Sequence, residues 1–257
     1  VLFERDNRNV ALTPAGEAIV EKARAALALT EAMKDLANTF RDPLAGELRL
    51  GIISSIGPFL AADLLAQLAH DAPRLDIRLL EGLTDELLAA LRAGQLDAAL
   101  IATSPDDGKL DDRALFDEPF LIAHAPTHQL ASKPTLNMSD IANGSLLLLR
   151  EGHCLRDQAL ALCGSTLVDA RVESTSVMTL IKLAETGKGV TLVPALAAPQ
   201  AQNLVLRPLD SGFAYRRIRL VSRRQFPRAA ALEVVSSVVM AIARTHGLKA
   251  LDAPSKQ

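Results

Sequence analysis

The 257-residue sequence contains two cysteines, Cys154 and Cys163. Cys154 follows Gly152 and His153, and Arg156 stands two positions after it. Positive neighbours favour the thiolate form of a cysteine, and the start of a helix stabilises an anion through the helix dipole. A thiolate is the form that a peroxide oxidises to sulfenic acid, and a second cysteine nearby resolves that product as a disulfide. The pair is therefore a candidate redox centre.

The spacing of the two cysteines would give such a reaction a structural consequence. They are nine positions apart, which on one helix corresponds to about 13.5 Å along the axis and nearly opposite faces. A disulfide requires Cα atoms within about 7 Å of each other. If the segment is helical when reduced, forming the disulfide must unwind or refold it.

Other interpretations of the same residues stay open at this point. Free cysteines are most often small, buried apolar side chains of reduced proteins. A permanent disulfide would fit an exported protein, but the sequence opens with no recognisable export leader. A metal site formed by His153, Cys154 and Cys163 matches no common zinc spacing and lacks an evident fourth ligand, so we predict no metal and no cofactor. A Cys–His hydrolase would need an orienting residue and an oxyanion hole that the sequence does not identify.

The composition predicts an ordinary globular protein. Apolar residues make up 49% and charged residues 23%, and 28 Lys and Arg against 30 Asp and Glu give a net charge of -2. This balance is not typical of a nucleic-acid-binding domain, so DNA contacts must come from a local patch or a further segment. Apolar runs are far shorter than the roughly 20 residues of a membrane span, and we expect a cytoplasmic protein without membrane contact. Because Val1 is not a start methionine, we expect further chain before it.

A long helix is predicted near the beginning of the sequence. Thr13 and Pro14 form a typical helix start, with Thr13 as the N-cap. Apolar or small residues then recur at alternating spacings of four and three, at Ile19, Ala23, Ala26, Thr30, Met33, Ala37 and Phe40. This heptad pattern favours a projecting dimerisation helix that ends before Pro43 and Gly46, although a helix packed on its own domain would show the same period.

A regular alternation of strands and helices follows. The strands predicted in the first half are Glu47–Ile53, Leu75–Leu80 and Leu96–Ala102, with helices at Pro58–Ala69 and, capped by Thr84, at Thr84–Ala93. The strands predicted in the second half are Leu146–Leu149, Arg171–Ser174, Gly189–Val193 and Ile218–Ser222, with helices at Arg156–Cys163, Val177–Thr186, Pro194–Gln202 and Pro227–Thr245. This order indicates parallel βαβ units. We predict an α/β fold of two Rossmann-like subdomains, with a cleft at the carboxyl ends of the strands.

Several motifs resemble those of the LysR-type transcriptional regulators. The segment Leu2–Gly16 (LFERDNRNVALTPAG) resembles the wing and the start of the linker helix of this family, and Gly187–Pro194 (GKGVTLVP) resembles its Gly-x-Gly segment. Within the family, GHCLRDQA at 152–159 followed by Cys163 is similar to the OxyR subgroup, the hydrogen-peroxide sensors. The motifs LFDEPF at 115–120 and IGPFL at 56–60 fit the same subgroup. The resemblance covers nearly the whole chain.

The resemblance implies roles for individual residues. Cys154 would be the cysteine that reacts with peroxide, and Cys163 the one that resolves the product. The residues implied in peroxide binding and activation are Ser55, Thr84, Gly152, His153, Arg156 and Arg223. Ser55 stands where the subgroup usually has threonine, which keeps the hydroxyl and removes a methyl group. Arg5 and Arg8, in the wing, would contact the phosphates or the minor groove of DNA.

The resemblance also implies an architecture, a type 2 periplasmic-binding-protein-like regulatory domain behind a linker helix. Residues 1–12 would be the remnant of a winged helix-turn-helix, and residues 13–41 the linker and dimerisation helix. Residues 46–118, completed by 223–257, would form subdomain I, and residues 119–222 would form subdomain II with the cysteines. We expect the rest of the helix-turn-helix to precede this chain.

The function implied is that of a stoichiometric thiol switch and not of an enzyme. Oxidation of Cys154 and its disulfide with Cys163 would refold residues 152–165 and alter DNA binding and transcription activation. The partners would be hydrogen peroxide, promoter DNA for the full-length protein, further copies of the chain in a homodimer or homotetramer, and a glutaredoxin- or thioredoxin-type reductant. The alternative is a LysR-type regulator gated by a small-molecule effector in the cleft. An exported solute-binding protein and a thiol peroxidase are rivals from other classes.

Overall fold

The fold is seen in a computed structural model of the chain. It describes residues 2–6, 9–39, 42–105, 108–136, 140, 146–163, 173–209 and 214–251.

The amino-terminal part consists of a hairpin and a long helix. Strands β1 (Phe3–Asp6) and β2 (Asn9–Leu12) pair antiparallel in the segment expected to be a wing. Helix α1 (Pro14–Thr39) then runs for 26 residues, about 39 Å at the α-helical rise. The predicted cap is confirmed, because the Gly16 N–H donates to Thr13 Oγ1 at 3.0 Å. Phe40, the last position of the predicted heptad pattern, lies outside the described residues.

Helix α1 carries large apolar side chains that the chain itself does not cover. Ile19 is 51% exposed and Met33 is 72% exposed. Around the middle of the helix only Ala28 is half-buried, and it packs against Gly94. An added Cβ at Gly94 would lie 2.7 Å from the Ala28 Cβ, so a residue without a side chain is needed for this approach.

The first α/β unit has the predicted order, with each boundary within two residues of the prediction. Its elements are β3 (Gly46–Ile53), α2 (Gly57–Asp71), β4 (Leu75–Gly82), α3 (Thr84–Arg92) and β5 (Ala98–Ile101). Strand β3 is central and pairs parallel with β4 on one side and with β5 on the other. The prediction of parallel βαβ units is confirmed here.

The second unit is built on a long strand that the sequence pattern did not predict. Its elements are β6 (Leu110–His124), β7 (Leu148–Leu149), α4 (Cys154–Cys163), β8 (Glu173–Ser174), α5 (Val177–Glu185), β9 (Val190–Pro194) and β10 (Val205–Pro208). A short 3-10 helix also follows β6 at Gln129–Ser132. Of the strand predicted at Arg171–Ser174, the first two positions lie outside the described residues. The helix predicted at Pro194–Gln202 is instead a 3-10 helix over Ala195–Gln200, and it contains Pro199, which lacks the N–H that an α-helix needs.

The chain then returns to the first unit. Strand β11 (Tyr215–Arg223), helix α6 (Ala229–Thr245) and strand β12 (Lys249–Ala250) complete it. Strand β11 lies antiparallel between β5 and β6. Among the described helices, none has both the length and the apolar character that a membrane span requires.

Two hydrophobic cores are joined by the two long strands β6 and β11. The first core includes Leu50, Phe116 and Val221, and the second includes Phe120 and Val193. Within β6 the change from one core to the other therefore occurs between residues 116 and 120. On the return, β11 already contributes to the first core from Ile218 onward, earlier than the expected boundary at residue 223.

Candidate functional site

Cys154 lies where the carboxyl ends of two parallel strands meet the start of helix α4. The cavity beside it is lined by three short segments, residues 53–55 at the end of β3, residues 82–84 at the end of β4 and residues 152–154 at the start of α4. Carboxyl ends of neighbouring parallel strands share one edge of a sheet, which is why the first two segments converge. The volume of this cavity is ≈ 10 Å³. That is about the space one water molecule needs.

Cys154 sits between the two cores. Its side chain is half-buried against the first core, whereas Leu155 and Ala159 of the same helix belong to the second. Gly152, with φ 91°, makes the turn into the helix in a conformation that favours glycine. As the first residue of α4, Cys154 is at the positive end of the helix dipole.

Ser55 is held by a buried ion pair that the sequence analysis missed. The Arg216 guanidinium donates from Nη1 to Ser55 Oγ at 2.7 Å and from Nη2 to the Ser55 carbonyl at 3.1 Å. Its Nε donates to Glu118 Oε2 at 2.7 Å, and the Leu196 N–H donates to the other carboxylate oxygen at 2.8 Å. Both charged side chains are 0% exposed. Because Arg216 supplies a donor to the Ser55 oxygen, the hydroxyl proton of Ser55 is left for an acceptor in the cavity.

Thr84 also contributes its hydroxyl to the cavity lining, but it is not the helix cap that we predicted. It is the first residue of α3, it is 9% exposed, and its Oγ1 has no hydrogen-bond partner among the described residues. The cap is provided by Glu86, whose carboxylate accepts the Leu83 N–H at 2.9 Å. Since a buried hydroxyl is rarely left unpaired, Thr84 is a candidate ligand-binding group.

His153 lines the same cavity with an uncharged ring. Its side chain is 5% exposed, and its Nδ1 lies 3.3 Å from Ser54 Oγ. Burial first, and then the nearby charge of Arg150, lower the pKa of His153 below its usual value, with Glu86 opposing. Neutral imidazole is therefore the favoured form near neutral pH.

The lowered pKa of His153 predicts a pH dependence of stability. A histidine that binds a proton more readily when unfolded destabilises the fold as the pH drops below its unfolded pKa of about 6.5. We expect the free energy of unfolding to fall between pH 7.5 and pH 5.5, and His153→Gln to flatten this slope by at most about 1.4 kcal/mol per pH unit. Denaturant titrations of both proteins across this range measure the effect. Identical slopes would show that His153 does not titrate differently on folding.

Two arginines expected at the cavity are engaged elsewhere. Arg156 Nη1 donates to the Leu149 carbonyl at 2.9 Å and to Glu173 at 2.7 Å, so its side chain ties α4 to β7 and β8. Arg223 donates to the Leu91 carbonyl at 3.3 Å and to Asp97 at 3.4 Å.

The strand direction explains why Arg216, and not Arg223, reaches the cavity. Strand β11 runs antiparallel to β5, with Ser222 opposite Ala98, so Arg223 lies beside the amino end of β5. Arg216 lies at the other end of β11, on the side where the carboxyl ends of the parallel strands form the cavity.

Cys163 is the last residue of α4, at the end opposite Cys154. Along a continuous helix the two Cα atoms are about 13.5 Å apart, too far for a disulfide. The Cys163 side chain lies outside the described part of the structure. Between the cysteines, Gln158 Nε2 donates to the Ala102 carbonyl at 3.0 Å and so anchors α4 to the end of β5.

The structure describes the two residues predicted to contact DNA only in part. Arg5 is in strand β1 without a described side chain, and Arg8 lies outside the described residues. In the described ranges, no group of three or more His, Cys, Asp and Glu is placed to hold a metal ion.

Comparison with known proteins assigns the family. Residues 41–241 match the LysR substrate binding domain. The chain belongs to the LysR family of transcriptional regulators. It is 34% identical over 256 residues to the DNA-binding transcriptional dual regulator OxyR of Escherichia coli, a match that covers 98% of this chain and 84% of that protein. It is 37% identical over 202 residues to the hydrogen peroxide-inducible genes activator of Pectobacterium carotovorum, which covers 78% of this chain and 67% of that protein.

Solved structures of OxyR proteins share this LysR regulatory-domain fold. A full-length OxyR variant from Pseudomonas aeruginosa superposes with a TM-score of 0.79 at 32% identity, covering 100% of this chain and 84% of that one. A hydrogen-peroxide-bound OxyR mutant from Corynebacterium glutamicum superposes with a TM-score of 0.76 at 31% identity, covering 96% and 80%. The predicted fold class and the resemblance to the OxyR subgroup are confirmed.

Proposed function

We propose that this chain is the sensory part of a transcription activator that responds to hydrogen peroxide through Cys154 and Cys163. The observation that carries the proposal is the placement of Cys154 in a cavity of ≈ 10 Å³ beside Thr84 Oγ1, a buried hydroxyl without a partner in the described structure. A cavity of this size suits a molecule of two oxygen atoms better than an organic effector, whose sites are typically about 300–1,000 Å³. The names of the relatives support the same conclusion.

The first chemical step takes place at the Cys154 sulfur. The thiolate donates an electron pair to one peroxide oxygen, an S–O bond forms and the O–O bond breaks. The sulfur is oxidised to sulfenic acid, and the other oxygen leaves as hydroxide, which takes a proton from solvent to become water. The hydroxyls of Ser55 and Thr84 and the start of α4 are placed to stabilise the charge that moves between sulfur and oxygen.

The second step joins the two cysteines. The Cys163 thiolate attacks the Cys154 sulfur, an S–S bond forms, and the hydroxyl leaves as hydroxide, which solvent protonates. Because the two residues occupy opposite ends of α4, this step requires the helix to unwind. Unwinding breaks the Gln158–Ala102 and Arg156–Glu173 bonds that hold α4 to its surroundings. The redox state of one sulfur thus becomes a change in the packing of the regulatory domain.

The remaining parts of the proposal concern the whole protein. The exposed apolar side of α1 is proposed to pair with a second copy of the chain. We propose residues 46–118 and 223–257 as one subdomain and 119–222 as the other, with the end of β11 from Ile218 packed on the first core. Residues 1–12 would complete a DNA-binding domain. The change in packing alters how a homodimer or homotetramer holds promoter DNA in the cytoplasm, and a glutaredoxin- or thioredoxin-type reductant restores the thiols. The protein acts stoichiometrically and is not an enzyme.

Trapping the intermediate on Cys154 tests the proposal. Cys163→Ser protein treated with one equivalent of hydrogen peroxide is expected to be labelled on Cys154 by a sulfenic-acid-specific reagent, as read by peptide mass spectrometry. Cys154→Ser protein, the matched control, should show no label at the low peroxide dose. Label on Cys163 alone, or none in either variant, would favour a regulator gated by an effector in the cleft.

Thr84→Val is expected to slow oxidation without weakening the fold. Valine has the shape of threonine but lacks the hydroxyl, so the rate constant with peroxide should fall about 10-fold, the effect of one lost hydrogen bond. Because the hydroxyl is buried and unpaired, its removal should leave the free energy of unfolding unchanged or raise it by about 1 kcal/mol. Rapid-mixing kinetics and denaturant unfolding measure the two quantities. Thr84→Ser, which keeps the hydroxyl, should react at close to the parent rate. Equal slowing in both variants would show that the Thr84 hydroxyl does not contribute to the rate of oxidation.

A further inference from the structure

We propose that Ser54 is a positioning residue, which holds His153 in the tautomer with its proton on Nε2 and so directs a hydrogen-bond donor into the cavity where peroxide reacts. The inference rests on the proposed function, because it adds a donor to the same cavity.

The position of Ser54 is fixed by the sheet. Ser54 directly follows β3, and its N–H donates to the Gly82 carbonyl at the end of β4, at 3.2 Å. Its Oγ lies 3.3 Å from His153 Nδ1 and, within the described residues, has no other hydrogen-bond partner. The Ser54 hydroxyl and the His153 imidazole therefore form a hydrogen-bonded pair.

The other ring nitrogen of His153 is placed for a ligand. His153 is 5% exposed, and its Nε2 is buried with no partner among the described residues. His153, Ser54 and Cys154 all line the same small cavity. A buried, unpaired ring nitrogen at the cavity of a reactive sulfur needs a partner that arrives with the substrate or forms in the reaction.

The two possible tautomers differ in what they offer to the cavity. Neutral imidazole carries one proton, so one nitrogen donates and the other accepts. With the proton on Nδ1, the ring would donate to Ser54 and leave an unpaired lone pair on the buried Nε2. With the proton on Nε2, the Ser54 hydroxyl donates to Nδ1, and the Nε2–H is free to donate into the cavity. Only the second tautomer gives the Ser54 proton an acceptor and offers a donor to the cavity.

This donor acts on the charge that the first step creates. As the sulfur attacks one oxygen and the O–O bond breaks, the departing oxygen becomes hydroxide, and the Nε2–H donates a hydrogen bond to it. His153 keeps its proton, since the proton that completes the water comes from solvent. Ser54 lines the same cavity, and the role proposed for it is to orient the ring.

The tautomer can be measured directly in the reduced protein. Ring ¹⁵N chemical shifts of His153, assigned with His153→Gln, distinguish the Nε2–H form from the Nδ1–H form. We expect the Nε2–H form in the parent protein and a mixture in Ser54→Ala, with the rate constant for peroxide oxidation of Cys154 falling about 5-fold, as expected for one neutral hydrogen bond. Ser54→Thr keeps the hydroxyl and should restore both the tautomer and the rate.

Two results would overturn the inference. One is the Nδ1–H form in the parent protein. The other is an unchanged tautomer in Ser54→Ala, whatever the rate, because a merely structural role of Ser54 could slow the reaction without moving the proton. The tautomer is read without peroxide, so failure of Cys154 to form sulfenic acid would count against the proposed function and leave this measurement independent of it.

Discussion

Replacing Cys154 by serine is expected to lower the rate of oxidation by hydrogen peroxide at least about 100-fold, the scale of losing one group that stabilises a developing charge. Only Cys163 then remains as a thiol. It is the last residue of α4, at the negative end of the helix dipole, whereas the cavity lies at the first residue of this helix. Thiol consumption after rapid mixing with peroxide measures the rate.

Cys163→Ser is the matched control for this prediction. It removes the other thiol of the same helix but leaves the Cys154 cavity intact, so the first oxidation step should keep close to the parent rate. Equal losses in the two variants would mean that the position at the start of α4 gives Cys154 no advantage.

Replacing Glu118 by alanine is expected to cost about 3–5 kcal/mol of folding stability, because it leaves the guanidinium of Arg216 buried without its counter-charge. Both side chains are 0% exposed, and the carboxylate also accepts the Leu196 N–H. The same change should release Ser55, since Arg216 is the group that holds its hydroxyl and carbonyl. The denaturation midpoint reports the first effect, and the peroxide rate constant reports the second.

The neighbouring ion pair supplies the control. Arg217 donates to Asp117 at 2.7 Å one position along the same two strands, but these side chains are 39% and 27% exposed. Asp117→Ala should therefore cost no more than about 1 kcal/mol, as for other solvent-screened pairs. Similar losses for the two alanine variants would contradict the role given to the buried pair.

The regular parts of the fold were predictable because burial leaves a periodic pattern in the sequence. In strand β3 the apolar residues Leu48, Leu50, Ile52 and Ile53 are buried, and α1 begins at an unambiguous Thr13–Pro14 start. The strand β6 escaped prediction since charged residues interrupt its apolar pattern at Asp112, Asp117 and Glu118. Each of these residues forms an ion pair with an arginine of β11. The charges that interrupt the apolar pattern therefore connect β6 to its neighbouring strand.

The part of the candidate site that could be predicted consists of residues identified by their sequence neighbours or by the family motifs. His153 and Cys154 adjoin each other, and the resemblance placed Ser55 and Thr84, which do line the cavity. The arginine could not be chosen in this way, because Arg216 and Arg223 belong to one strand and only its direction decides which end reaches Ser55. The sequence feature that could have indicated Arg216 is the match between the acidic pair DE at 117–118 and the basic pair RR at 216–217. This match can be recognised only once β6 and β11 are known to be neighbouring strands.

The central claim is that peroxide joins Cys154 to Cys163 and thereby unwinds α4. Peptide mapping by mass spectrometry, after brief treatment of the reduced protein with one equivalent of hydrogen peroxide, tests it most directly. The expected product is an intramolecular disulfide between Cys154 and Cys163, formed by most molecules and absent from Cys154→Ser protein. Recovery of both cysteines as free thiols, or a disulfide that forms equally well through other pairings between chains, would contradict the account.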